Sequence, residues 1–370
     1  MKKILFFIPT LMHGGAEKVL VNLVNNLDVN KYDITLQTIF DVGVHKKNLN
    51  SNIKYKYIFK NLFRGSSTLF KFFSPEYLYK RYIKDEYDVV ISYLEGPTTR
   101  ILSGCPYKNT KKVAWIHIEL NDKLMFSNGF RNYDEAIKCY KNFNEIICVS
   151  ETVKEIFVKN LNLDNNVKVL YNTNETEIII KKSREQVKDL IFDRDVVNIC
   201  SVGKIVKTKG YDRLARVHKS LIEEGIKHHI YIFGIGEDEK IIKKYIKENN
   251  IEDSFTLVGF RENPYKYVSR CDLFICSSLR EGFSTSVTES LIVGTPVIST
   301  LCSGAKELLG YNNEYGLVVE NSEYGIYKGL KTLLKNRDLI DRYKKVCIKR
   351  AEKFSKKETV LSVEKMLDNL

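Results

Sequence analysis

Residues 271–300 read CDLFICSSLREGFSTSVTESLIVGTPVIST. An apolar run, CDLFICSS, enters a short loop that holds Arg280 and Glu281. Hydroxyl residues and a helical pattern follow, up to Gly294, and a second apolar run, TPVIST, closes the stretch. Both runs are short and strongly apolar, as strands buried on both faces of a parallel sheet must be. The same alternation extends outward. GLVVE is a further strand downstream. Upstream, VVNICSVG, HHIYIFG and SFTLVGF are strands. YDRLARVHKSLIEEG, ending at Gly225, EDEKIIKKYIKENN and NPYKYVSR read as helices between them.

The amino-terminal half repeats the pattern with KKILFFIPT, YDITLQTIF, YDVVISYL, KKVAWIHI, NEIICVS and VKVLY as strands. AEKVLVNLVNNL is a helix with Val19, Leu20, Leu23, Val24 and Leu27 on one face. After Tyr171 the polar segment NTNETEIIIKKSREQVKDLIFDRD reads as a linker with a short helix. The last stretch is helical and interrupted near Phe354-Ser355. The expected fold is α/β, two Rossmann-like β/α/β domains at residues 1–175 and 190–350 facing a central cleft, with ligands at the carboxyl ends of the strands. The pattern alone fits a dehydrogenase or an epimerase equally well.

With 370 residues, 44% hydrophobic and 28% charged, each half can bury its own core. MKKILFFIPTLMHGGAE has too short an apolar run for a secretory segment and reads as a first buried strand. No run approaches the ~20 apolar residues of a membrane-spanning helix. Eight scattered cysteines form no C-x-x-C pair, so free thiols in a reducing compartment are expected. The net charge of +13 asks for an anionic partner: nucleic acid, anionic lipid or phosphate. A genome-wide bias toward lysine produces the same excess, so charge by itself selects none of them.

Three segments carry candidate chemistry. In Arg280-Glu281-Gly-Phe-Ser-Thr-Ser-Val-Thr-Glu289 two carboxylates flank a loop-to-helix junction. Free N–H groups there suit a phosphate, and the carboxylates suit sugar hydroxyls. A merely capped helix with Glu289 exposed reads equally well from spacing. In Ser201-Val-Gly203-Lys204-Ile-Val-Lys-Thr-Lys209-Gly210, Gly203 permits close backbone approach. Two lysines at a strand's mouth can neutralise a diphosphate leaving group without a metal; a solvated lysine loop is the plainer reading. Met12-His13-Gly14-Gly15-Ala16-Glu17 offers close approach at the first turn, or an ordinary tight turn. It lacks the third glycine of a dinucleotide fingerprint, as does Phe233-Gly-Ile-Gly236-Glu237.

Together these segments resemble the retaining glycosyltransferases of family four, of GT-B fold. The resemblance runs nearly end to end, through GGAEKVLVNL, SVGKIVKTKG, IYIFGIGEDE, TLVGFRENPYKY, CSSLREGFSTSVTESLIVGTPVIST and SGAKELL. It implies transfer of a hexose-type sugar from a nucleotide diphosphate donor, a uridine diphosphate sugar by preference, to a saccharide or lipid-linked saccharide in surface polysaccharide synthesis. By resemblance, Lys204 and Lys209 grip the donor diphosphate, Glu281 lies by the hexose and Glu289 binds the ribose. Gly282, Phe283, Ser284 and Thr285 meet sugar or phosphate, and Val258, Phe260 and Arg261 lie against the base. Gly15 and Gly203 admit the phosphates, and His117 touches the donor sugar. The catalytic set so implied is Glu281, His117, Lys209 and Lys204. Lys204 stands where Arg is commoner, and Glu119 where relatives carry Asp nearer the histidine. The favoured chemistry is front-face attack with the leaving phosphate taking the acceptor proton; a double displacement stays open. The final helix, about 351–370, is expected to pack back on the first domain.

No cofactor and no metal are expected. Asp193-Arg-Asp195 matches a metal-binding D-x-D but precedes a strand instead of ending one. Lys54–Lys84 holds eight Lys or Arg, one acidic residue and ten aromatics. Such interleaving suits an anionic membrane surface, single-stranded nucleic acid, or a surface helix packed on its own domain. On the acceptor half it favours membrane over nucleic acid and a peripheral place on the inner face of the cell membrane. The rival classes are a nucleotide-sugar epimerase and a non-enzymatic nucleic-acid-binding protein.

Overall fold

A computed structural model describes residues 1–163 and 166–370; the side chains of Ser66 and Ser67 lie outside that description. The chain forms two compact units. One is Met1–Thr173 with Lys356–Leu370, the other Asn174–Ser355.

The first unit holds a parallel sheet of β1 (Lys2–Ile8), β2 (Tyr32–Phe40), β3 (Lys54–Phe59), β4 (Val89–Ser92), β5 (Lys111–Ile116), β6 (Glu145–Cys148) and β7 (Val167–Val169). Their order is β3-β2-β1-β4-β5-β6-β7. At its centre Phe6 lies between Leu36 and Ile91, and residues Ile4 to Ile8 are wholly buried. A strand with neighbours on both sides and helices on both faces has nowhere to put a charge, which is why β1 is charged only at its first two positions. The last helix, Lys356–Asp368, belongs to this unit. Asp28 N donates to Glu364 Oε1 at 2.9 Å, Tyr32 Oη to Asp368 Oδ1 at 2.6 Å, and Val360, Val363, Met366 and Leu367 are buried.

The second unit is a parallel sheet of β8 (Val197–Val202), β9 (His228–Phe233), β10 (Phe255–Gly259), β11 (Leu273–Cys276), β12 (Val297–Thr300) and β13 (Leu317–Val319). Their order is β10-β9-β8-β11-β12-β13. Helices Tyr211–Glu223 and Glu323–Lys335 bury Leu214, Val217, Leu221, Ile326 and Leu330 in its core. In both units the order reverses beside the first strand, between β1 and β4 and between β8 and β11. The loops that leave those strands open onto the same crevice within each unit.

The basic aromatic stretch Lys54–Lys84 is not one amphipathic element. Lys54–Phe59 is the edge strand β3, and helices Ser66–Lys71 and Pro75–Tyr82 follow. Alternation of lysine and tyrosine over KYKYIF has the period of a strand, and the edge position leaves both faces half exposed. Lys54 pairs with Asp33 and Lys56 with Asp85, so the strand's cations are answered within the unit. Free thiols are found: all eight cysteines are unbridged. Asp193 and Asp195 precede β8, and Asp193 Oδ1 accepts from Asp195 N, a local turn.

Candidate active site

β8 ends at Val202, and the chain passes through Gly203 and an exposed Lys204 into a single 3₁₀ turn, Lys207–Lys209. Gly210 follows with φ +65°, and a Cβ there would meet Ser277 O at 2.3 Å. Only glycine fits that left-handed, crowded position. The turn therefore lies directly against the loop after β11, on the other side of the reversal. Ser277 Oγ donates to Lys209 O at 2.9 Å, and Leu279 N to Thr208 O at 2.8 Å. Gly234, at the end of β9, is equally constrained, since a Cβ there would fall 1.8 Å from Gly203 O.

This stitching brings two of the sequence candidates together. Lys209 Nζ donates to Glu281 Oε1 at 2.6 Å, and Ser278 Oγ donates to the same oxygen at 2.6 Å. Both partners are mostly buried, with 26% and 13% of their side chains exposed. Burial would lower the Lys209 pKa, but the Glu281 charge beside it outweighs that and raises it. Lys209 is thus a permanent cation. Lys204 is exposed and carries no ion pair among the described residues.

The next helix runs Thr285–Ile292 with Ser284 as its cap, whose hydroxyl accepts from Val287 N. Phe283 and Gly282 are buried before it, and the Phe283 ring packs on Phe354. Glu289 is 7% exposed and accepts a 3.3 Å bond from Tyr265 Oη, so it is a buried carboxylate and not an exposed surface residue of a capped helix. At the end of β10, Val258 is half-buried, Phe260 is 55% exposed, and Arg261 Nε pairs with Asp189 at 3.2 Å.

The remaining candidates belong to the first unit. Gly15 opens the helix Gly15–Asn26, whose start has no side-chain cap and is exposed at Gly15. The Glu17 carboxylate lies over this start, since a Cβ on Gly14 would fall 1.9 Å from Glu17 Oε2. His117 follows β5 and is 8% exposed. Its backbone N–H donates to Glu95 Oε2 at 3.0 Å, its ring lies 4.9 Å from that of Tyr93, and its Nε2 has no hydrogen-bond partner among the described residues. Burial, only partly offset by a bond to the Tyr93 backbone, lowers its pKa to about 3. The imidazole is neutral, so it can donate or accept a hydrogen bond but holds no charge.

Residues that sequence reasoning passed over are Ser278 and Tyr265, which orient the two glutamates, and Arg213, buried beneath the Ser277–Leu279 backbone. The available signal was polarity on a buried face. Arg213 sits beside Leu214, Val217 and Leu221 in a helix whose other charges point outward.

Comparison with known proteins bears on the family and the fold. Residues 181–354 match the family described as Glycosyl transferases group 1, and residues 13–177 match Glycosyltransferase Family 4. A Campylobacter jejuni N-acetylgalactosamine-N,N'-diacetylbacillosaminyl-diphospho-undecaprenol 4-alpha-N-acetylgalactosaminyltransferase is 29% identical over 372 residues, covering 96% of each chain. The capsular polysaccharide biosynthesis glycosyltransferase CapM of Staphylococcus aureus is 26% identical over 53% of each. The crystal structure of Anabaena HepE in complex with UDP and glucose superposes with a TM-score of 0.78 over the whole of both chains, at 16% identity. The chain belongs to the family-four, group 1 glycosyltransferases and is built of the two Rossmann-like units of the GT-B fold.

Proposed function

We propose that this glycosyltransferase moves a hexose-type sugar, with retention of anomeric configuration, from a uridine diphosphate sugar to a saccharide or lipid-linked saccharide acceptor in surface polysaccharide synthesis. The observation that carries the reading is the Lys209–Glu281 pair at the β8/β11 reversal, with Glu289 buried one helix turn beyond the Ser284 cap. A lysine at that crevice can take the charge that develops on a diphosphate leaving group, with Lys204 as a second cation at the rim. Glu281 and the backbone from Gly282 to Thr285 would then meet the sugar and phosphates, Glu289 the ribose, and Val258, Phe260 and Arg261 the base. Gly15 and His117 are assigned to the phosphates and the donor sugar. A neutral His117 suits hydrogen bonding to a hydroxyl and argues against it as a general acid.

Both lysines are protein-borne cations, so the reaction needs no divalent metal in this reading, and the leaving phosphate takes the acceptor proton. The lipid-linked acceptor is the class named for the Campylobacter relative, and the polysaccharide setting is that named for CapM. A peripheral place on an anionic membrane of the cytoplasmic side goes with it. Its support is local: Leu62, Phe63, Leu69, Phe72, Phe73 and Tyr77 are exposed beside Lys60, Arg64, Lys71, Lys80 and Arg81. Arg100, itself buried, donates to Phe70 O and Phe73 O, and Arg131 donates to Lys71 O and Phe72 O. These bonds fix the backbone of residues 70–73, where Phe72 and Phe73 are exposed. No helix among the described residues is long and apolar enough to cross a membrane.

The test is thermal stability against a panel of nucleotides and nucleotide sugars, with and without EDTA. A ligand at 100 times its dissociation constant adds about 2.7 kcal/mol. A shift with UDP or one UDP-sugar, persisting in EDTA and absent in Lys209→Ala, supports the reading. No shift with any nucleotide, beside a shift with RNA, overturns it. Sedimentation with phosphatidylglycerol vesicles at low salt, compared for wild type and Phe72→Ser/Phe73→Ser, tests the membrane surface; equal sedimentation of the two removes it.

A further inference from the structure

β11 leaves the sheet at Cys276, and the next three carbonyls have no strand to pair with, yet Ser277 and Ser278 are buried. Buried carbonyls need donors, and here side chains supply them. Thr300 Oγ1 donates to Cys276 O at 3.3 Å and to Ser278 O at 2.6 Å. Arg213, 5% exposed, reaches Ser277 O with Nε at 3.0 Å and Nη2 at 2.6 Å, and Ser278 O with Nη2 at 2.9 Å. Its Nη2 also donates to Asn321 Oδ1 at 2.7 Å, and Asn321 Nδ2 donates to Leu279 O at 2.9 Å and to Leu301 O at 3.3 Å.

Every one of these Arg213 bonds goes to a neutral oxygen. A buried guanidinium without a carboxylate partner is costly, and burial accordingly lowers its pKa. What the planar fork gives in return is a fixed backbone at two successive residues. Ser278 is held by its carbonyl and holds Glu281 by its hydroxyl. Gly210 completes the node, because a Cβ there would also fall 2.7 Å from Arg213 Nε. Arg213 thus locks together the two loops that carry Lys209 and Glu281, without reaching either side chain itself.

We propose that Arg213, assisted by Asn321, is a positioning residue for glycosyl transfer, fixing the Ser277–Leu279 backbone so that Glu281 and Lys209 face the donor's diphosphate and sugar. The proposal rests on the donor reading above. A group misplaced by about 1 Å costs on the order of 100-fold in rate, so the lock need move the loop only slightly.

The experiment compares Arg213→Lys and Asn321→Ala with wild type by calorimetric titration with UDP and UMP and by amide hydrogen exchange without ligand. Arg213→Lys keeps the charge and loses the fork. The expected result is a loss of about 10-fold in UDP affinity with UMP affinity unchanged, because Glu289 and the base site lie outside the lock. Faster exchange confined to residues 277–282 should accompany it, with a smaller change of the same kind in Asn321→Ala. Equal weakening of UDP and UMP, or unchanged exchange at 277–282, overturns the proposal and leaves Arg213 a structural residue. If wild type binds neither nucleotide while exchange at 277–282 still rises in Arg213→Lys, the lock stands and the donor reading falls. Should Arg213→Lys fail to fold, Asn321→Ala gives the same discrimination on its own.

Discussion

Lys209 and Glu281 hold each other, and in the proposed reading a donor diphosphate would compete with the carboxylate for the same ammonium. Removing the carboxylate charge should therefore act differently from removing the cation. In Glu281→Gln, Ser278 keeps an acceptor and Lys209 is freed, so UDP affinity should stay within a few-fold of wild type or improve while turnover falls by at least 100-fold, as for a lost transition-state contact. In Lys209→Ala, affinity itself should collapse. Steady-state turnover of Glu281→Gln separates the chemical alternatives, since near-full activity would remove any nucleophilic role for that carboxylate. His117 makes a second prediction at this scale. Burial holds its pKa near 3, so it stays neutral across the working range, and the kcat/KM profile of wild type should show no acid limb that vanishes in His117→Asn. A limb near pH 6.5 lost in that variant would contradict the neutral imidazole.

At the scale of elements, helix Tyr211–Glu223 is anchored by an unusual polar cluster. His218 Nδ1 lies 2.8 Å from His228 Nε2, His218 Nε2 lies 2.9 Å from Ser254 Oγ, and His228 Nδ1 lies 2.9 Å from Ile226 O. Burial lowers both pKa values, to about 2 for His218 and about 4 for His228, and the ring of His229 adds to each. The unfolded chain binds these protons near pH 6.5 and the folded one does not. Stability is accordingly whole above pH 6.5 and falls as the pH drops from 6.5 toward 4, by up to about 1.4 kcal/mol per pH unit for each histidine. Urea unfolding at pH 7 and pH 5 measures the slope, and His218→Gln should flatten it; an unchanged slope would place the acid sensitivity elsewhere. This cluster also shows where sequence reading stops. The central strands were legible because burial on both faces leaves no room for polar residues, as in β1 and β11. β3 was not, because an edge strand of alternating Lys and Tyr looks like an amphipathic basic segment until its partner is known. Lys209, Glu281 and Glu289 stood out in the sequence through the family resemblance, since their spacing alone left a solvated lysine loop and a merely capped helix open; the structure pairs Lys209 with Glu281 and buries Glu289. Arg213 was not legible, since its partners at Ser277 and Asn321 lie 64 and 108 residues away in sequence, and pairings across that distance leave no local pattern.

For the whole molecule, the chain passes from the first unit to the second at Thr173 and returns at Lys356. The returning helix is a structural part of the first unit. It buries Val360, Val363, Met366 and Leu367, supplies Glu364 to the Asp28 amide and Asp368 to the Tyr32 hydroxyl, and its Leu367 carbonyl accepts from Lys2 Nζ at 2.6 Å. Loss of even one large buried side chain costs about 2–5 kcal/mol, so ending the chain at Ser355 should consume much of the stability of a domain that has only about 5–15 kcal/mol. The damage should be confined, because the second unit has its own core. The single tryptophan, Trp115, is buried in β5 of the first unit and so reports on that unit alone. In the truncated chain its emission should shift at a much lower temperature, or already resemble that of an unfolded protein at 25 °C. A calorimetric transition for the second unit should survive near its original position, still responsive to UDP if the donor site is complete on that unit. If the tryptophan transition stays where it is in the full chain, the returning helix contributes nothing to the first unit's stability and its contacts with Asp28 and Tyr32 are incidental.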